Sequence, residues 1–175
     1  MELTIGTETC TTDLLITKDP RLGTTQTGYE KQFALLKELN DKTSALNGAV
    51  NRIRRLNRQL RALAEQLGTS HADLADKARA ATAGLSAIER VLVDVDRESP
   101  RDVLRHPAGL YDTLVDLTNM VAIADMAPTA PAEAVAREIM AQVDAQIARL
   151  DAILPGDVTE INRIAAERSV AHVVG

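Results

Sequence analysis

Between residues 36 and 67 apolar side chains recur in alternating steps of three and four: Leu36, Leu39, Leu46, Val50, Ile53, Leu60, Ala64 and Leu67. Thr43 and Asn57 fill the two places where the series turns polar. Steps of three and four hold side chains on one face of an α-helix, whereas a strand would need strict alternation. Sustained over this length, the pattern is a heptad seam. A helix opening at Thr25 and stopping at Gly68, a residue suited to the end of a helix, would be roughly 60 Å long. Its apolar stripe needs other helices to cover it.

The remaining sequence offers them. Ser70 reads as an N-cap with Asp73 as its capping-box acid. A second helix then carries Leu74, Ala78, Ala81, Leu85, Ile88, Leu92 and Val95 and stops at Asp96-Arg97-Glu98-Ser99-Pro100. A third, starting near Pro107, aligns Leu110, Leu114, Leu117, Val121 and Ala124. After a turn at residues 127–131, a fourth aligns Val135, Ile139, Val143, Ile147, Leu150 and Leu154. Pro155-Gly156 is expected to close it, and Asp157 to cap a short fifth helix. The breaks after helices one and three are short, so each should be an antiparallel helical hairpin, while the link at 96–106 is longer. The expected fold is mainly α: an antiparallel four-helix bundle with a long first helix, a short fifth helix and an N-terminal β-hairpin.

The hairpin expectation comes from the Thr-rich, β-branched start. Residues 3–5 and 11–17 read as strands around Gly6-Thr7-Glu8-Thr9, and Lys18-Asp19-Pro20-Arg21 ends the second. Two strands alone are marginal in water. Residues 1–22 therefore read as the last two strands of a β-sandwich whose other strands are missing, and 23–175 as the bundle.

Composition narrows the chemistry. The aromatics are Tyr29, Phe33 and Tyr111, with no tryptophan, so nothing resembles a stacking platform for bases or sugars. A net charge of −5 disfavours broad binding to nucleic acid or an anionic membrane. No apolar run approaches the roughly 18 residues of a membrane span. The first residues lack the basic and apolar regions of a signal peptide, so an exported natural protein would have lost its leader from this sequence.

His71, His106 and His172 form no Glu-x-x-His or His-Glu-x-x-His pattern, and Cys10 is the single cysteine, expected to be a small buried or half-buried thiol. No nucleophile elbow, P-loop or dinucleotide fingerprint occurs. The reading is of a non-enzyme with no catalytic residue, no cofactor, no metal ligand and no small-molecule substrate.

Arginines crowd one part of helix one: Arg52, Arg54, Arg55, Arg58 and Arg61, with Arg54, Arg58 and Arg61 along one side. Such a stripe suits an anion or a nucleic-acid strand, and it also suits a flank pairing with acids on a neighbouring helix. Glu133, Glu138, Asp144 and Asp151 of helix four are the expected partners. Thr43 and Asn57 read as polar seam positions that fix register, accompanied by Asn40, Asn47 and Asn51. Gly48 and Gly84 fall mid-helix, where each costs about 1 kcal/mol relative to alanine unless a close helix approach needs them.

Scattered segments carry a family resemblance. Asp19-Pro20-Arg21 follows a strand, a long helix then holds Gln32-Phe33, and residues 49–60 read AVNRIRRLNRQL. Pro107 with Leu110, the turn at residues 124–129, Asp157-Val158, Ile161-Asn162-Arg163 and the final Ala171-His172-Val173-Val174 follow in order. Together they resemble the C-terminal region of bacterial sortilin-like BNR-repeat proteins, often labelled glycosyl-hydrolase-like. The resemblance implies a β-propeller followed by an Ig-like segment and then this helical tail, in an exported, periplasmic or extracellular parent. It carries over no catalytic residue, because the propeller lies outside the chain.

The functional expectation is a structural or interaction module that docks on, stabilises or oligomerises such a parent. Tyr29, Phe33 and Leu36 are the residues expected to cover the β-segment or meet a second chain, with Arg54, Arg58 and Arg61 as a further candidate surface. The alternatives are a small all-helical enzyme holding a polyanion with inward-pointing arginines, or a nucleic-acid-binding bundle using the Arg52–Arg61 stripe.

Overall fold

The computed structural model describes residues 2–99, 108–168, 170 and 173. Strands β1 (Glu2–Ile5) and β2 (Glu8–Thr11) form an antiparallel hairpin, followed by helices α1 (Gln26–Leu67), α2 (Ala72–Leu92), α3 (Leu110–Ala122), α4 (Ala130–Ile153) and α5 (Thr159–Glu167). The protein is mainly helical, as expected.

α1 begins where Thr25 caps it, the threonine hydroxyl accepting from the Gly28 amide at 3.1 Å. It runs unbroken for 42 residues to Gly68. There φ is +50, a left-handed value that glycine adopts without a Cβ clash. Its buried stripe is wider than a two-helix seam, because Leu35, Ala49, Leu56 and Leu63 are buried beside Leu39, Leu46, Val50, Ile53, Leu60, Ala64 and Leu67. A helix covered from two sides needs this broader apolar face.

Side-chain pairs fix the directions of the covering helices. Asn57 meets Ser86 and Arg54 meets Glu89, so α2 runs antiparallel along the C-terminal half of α1. Gln32 meets the carbonyls of Val121 and Ala124 while Gly109, before α3, lies against Val93 at the end of α2, so α3 runs antiparallel along the N-terminal half of α1. α2 and α3 thus follow one another down the same long helix. Gly109, the first residue before α3, lies so close to the end of α2 that a Cβ would stand 2.8 Å from Val93 Cα. α4 returns parallel to α1, with Lys42 on Asp144 and Arg52 on Asp151. α1–α2 and α3–α4 are therefore the two antiparallel hairpins.

Several local expectations are corrected. The second strand is residues 8–11, not 11–17. Gly6, at φ +62, and Thr7 form a two-residue turn that pairs Ile5 with Glu8 and ends the ladder at Glu2 opposite Thr11. Ser70 does not cap α2: its amide is spent in the turn on the Leu67 carbonyl, and His71 occupies the cap position without a side-chain bond. α2 stops at Leu92, leaving Val95 exposed, and Ala124 lies exposed beyond α3. In α4 it is Ala136, not Val135, that is buried.

Pro155-Gly156 does not close α4. The helix widens through a π-type turn, Leu154–Val158, in which the Thr159 amide reaches back to the Leu154 carbonyl. The wider turn tolerates a proline that lacks an amide hydrogen. The chain then enters α5 directly, so Asp157 caps nothing. Pro107 and His106 lie outside the described residues, as do Ala171, His172 and Val174.

The hairpin touches none of the helices, and both strands are exposed along their whole length. Leu3 and Ile5 share its apolar face with Cys10 and Glu8, opposite Thr4 and Thr9. Cys10 is accordingly exposed, contrary to the expected burial, because no helix lies under the strand that carries it.

Candidate interaction surfaces

At its first turns α1 presents Tyr29, Phe33 and Leu36, and helical geometry sends the three to different depths. Leu36 is half-buried against the core. Tyr29 is half-buried, with its hydroxyl enclosed and without a hydrogen-bond partner among the described residues. Phe33 stands 70 % exposed, although it is the only phenylalanine of the chain.

Between them Gln32 is buried, and its amide donates to the Val121 and Ala124 carbonyls at 2.7 Å each. The Val121 carbonyl belongs to the last turn of α3, where helix geometry leaves acceptors without intrahelical donors, and the Ala124 carbonyl lies just beyond it. Sequence reasoning does not mark Gln32 as a site residue. A polar residue amid an apolar stripe is the only signal it gives. The same end of the bundle exposes Met120, Ile123 and Met126 around the α3–α4 turn. Thr24, just before α1, donates its hydroxyl to the Asp125 carbonyl of that turn.

The arginine stripe divides. Arg52 pairs with Asp151 of α4 at 2.8 Å, as expected, and Asp144 is taken by Lys42 instead. Arg54 pairs with Glu89 of α2 at 2.6 Å. Arg55, Arg58 and Arg61 are exposed, with no ion pair to the described residues. All three face solvent, whereas Val50 and Ile53 occupy the interior of the bundle.

The polar seam positions behave differently from one another. Thr43 is half-buried and donates to the Leu39 carbonyl one turn back. Asn57 is buried, donates to the Ser86 hydroxyl at 3.3 Å, and leaves its own carbonyl oxygen without a donor among the described residues. Asn40, Asn47 and Asn51 are exposed on the outer face. Neither mid-helix glycine answers to a close approach. A Cβ at Gly48 would meet nothing within 4 Å, and one at Gly84 would make an ordinary contact with Ile153 at 3.7 Å.

At the other end, Arg168 grips both carboxylate oxygens of Asp73, at 2.7 and 2.6 Å. This hydrogen-bonded pairing lowers the Asp73 pKa to about 2. Asn162 bonds both backbone groups of Val173, a residue buried against the core.

His71 sits half-buried at the start of α2, and His106 and His172 lie outside the described residues. Among the described residues no group of three or more His, Cys, Asp or Glu side chains could hold a metal ion, and no helix is long and apolar enough to cross a membrane. The open groove between α1 and α4, about 500 Å³, is lined by Glu38, Asp41, Lys42, Arg137, Met140 and Asp144 with the alanines between them. Of its charges, Lys42 pairs with Asp144 and Asp41 with Lys37. No family model, curated protein or solved structure matches this chain.

Proposed function

We propose that this chain is a non-catalytic structural and interaction module, the helical accessory domain at the C-terminal end of a sortilin-like BNR-repeat propeller protein. The observation that carries the reading is the hairpin: a regular two-stranded ladder with every residue exposed and no helix beneath it. Two strands need further strands or a packed face to persist in water. The resemblance supplies a source for both, the Ig-like segment that precedes such a tail. The bundle, with its continuous apolar core and ion-paired flanks, serves as the rigid body that this sheet is attached to.

The test is the solution mass of this chain alone and mixed with the propeller and Ig-like region encoded upstream in the same genome. A monomer that forms a one-to-one complex with that region is the expected result. A self-associating species indifferent to the propeller would overturn the parent and leave an independent oligomerisation module.

Arg55, Arg58 and Arg61 favour a second reading, the binding of an anionic strand, because they are exposed cations without partners among the described residues. The net charge of −5 and the lack of interleaved aromatics oppose it. Titration with single-stranded RNA at ordinary ionic strength is expected to give no salt-sensitive binding.

A further inference from the structure

Resting on that accessory-domain reading, we propose that the completed β-sheet sits on one defined end of the bundle, the surface made by Phe33, Met120, Ile123 and Met126. Three observations converge there. The first is the distribution of exposed apolar surface. Phe33 is 70 % exposed, Met120 69 %, Ile123 86 % and Met126 51 %. All four lie around the place where Gln32 bonds the Val121 and Ala124 carbonyls. The opposite end, made by the close of α1, the first turns of α2 and α5, exposes no large apolar side chain among the described residues.

The second observation is the anchoring of the connector. Thr24 donates to the Asp125 carbonyl, Lys18 donates to the Thr24 carbonyl, and the Leu22 amide closes a turn on Asp19. The carboxylate of Asp19 in turn receives the Arg21 guanidinium. The chain therefore leaves the bundle at a fixed point, against the very turn that bears Ile123 and Met126.

The third is reach. Residues 12–17 are all that separate this anchored segment from the hairpin, and six extended residues span at most about 20 Å. α1, with 42 residues, is about 63 Å long. A sheet containing β1 and β2 reaches the Phe33 end and not the far end. Leu14, Leu15 and Ile16, themselves 65, 85 and 85 % exposed, lie in the connecting stretch and extend the same apolar contact. The occupant is accordingly the sheet that the hairpin completes, presenting an apolar face of which Leu3 and Ile5 are a part.

The experiment measures binding of the upstream Ig-like and propeller region to the full 175-residue chain, compared with Phe33→Ser/Ile123→Ser and Arg55→Ser/Arg58→Ser variants. Helical circular dichroism and Tm monitor folding, which these exposed positions should leave intact. Loss of affinity by tenfold or more in the first variant, with the second binding like the parent, is the expected result. Equal binding by all three chains overturns the seat while the accessory-domain reading stands, and no binding by the unaltered chain overturns both. A dimer of the chain alone that the Phe33→Ser/Ile123→Ser variant dissolves would make a second copy the occupant and would also overturn the proposal.

Discussion

The side chain of Asn162 holds Val173 by both of its backbone groups: Nδ2 donates to the Val173 carbonyl and Oδ1 accepts from the Val173 amide, each at 2.7 Å. An amide side chain here does what a neighbouring strand does in a sheet, and Val173 is buried as a result. Replacing Asn162 by alanine is expected to free Val173 and cost about 1–3 kcal/mol, the range for stranding buried backbone groups. Aspartate keeps the acceptor but sets an oxygen against the Val173 carbonyl, so it should do no better. Urea unfolding gives the total, and faster hydrogen exchange confined to α5 would localise the loss.

Gln32 plays the corresponding part at the other end, its amide donating to the Val121 carbonyl in the last turn of α3 and to the Ala124 carbonyl just beyond it. Gln32→Ala leaves both acceptors short of donors and is expected to destabilise by about 1–3 kcal/mol. Gln32→Leu keeps the volume and should remain destabilising, because the loss is of hydrogen bonds. Equal stability of the leucine variant and the parent in a denaturant titration would reduce Gln32 to a space filler.

Two glycines should respond in opposite directions. Gly48 is exposed in mid-helix, and a methyl group placed there would meet nothing within 4 Å, so Gly48→Ala should stabilise by about 1 kcal/mol through helix propensity. For a chain of this size that is a rise of about 2–4 °C in Tm. At Gly109 the same methyl would lie 2.8 Å from Val93 Cα and 3.0 Å from the Leu92 carbonyl. Gly109→Ala is expected to cost about 1–3 kcal/mol by forcing the ends of α2 and α3 apart. Thermal unfolding of the two variants beside the parent checks both signs.

The Asp73–Arg168 pair gives a pH dependence with a definite sign. Its hydrogen bond to Arg168 lowers the Asp73 pKa from 3.8 to about 2. A carboxyl whose pKa is depressed on folding contributes above its unfolded value and loses that contribution as pH falls through the folded one. The contribution is therefore complete above about pH 4 and fades toward about pH 2. Asp19 and Glu160, lowered by Arg21 and Arg163, shift in the same direction. Asp73→Asn should lower Tm by a constant amount above about pH 5 and flatten part of the acid limb of stability, and Arg168→Gln should act alike.

The long helix, its cap at Thr25 and its stop at Gly68 are legible from spacing and local chemistry, because both act within a few residues. So is the family of seam positions in α2 and α3. What escapes the sequence depends on partners far along the chain. Gln32 finds carbonyls some ninety residues away, and Asp73 leaves its capping role for Arg168. The passage through Pro155-Gly156 is hidden because a π-type turn absorbs a proline that local rules read as a stop. The strand shift follows from a turn at Gly6-Thr7 that is two residues shorter than the polar stretch around it. Of the candidate surface, Phe33 is exposed as its position suggests. Leu36 instead turns inward, and the methionines of the α3–α4 turn give no sequence signal, since exposure is decided by neighbours.

Because α2 and α3 divide the length of α1 between them, the molecule is two short bundles threaded on one shared axle. The half at Phe33 and the half at Asn162 share only α1 and α4, so each has its own set of side helices to lose. The α2–α5 half carries the Arg168–Asp73 and Asn162–Val173 fastenings, and the α3 half the Gln32 clamp.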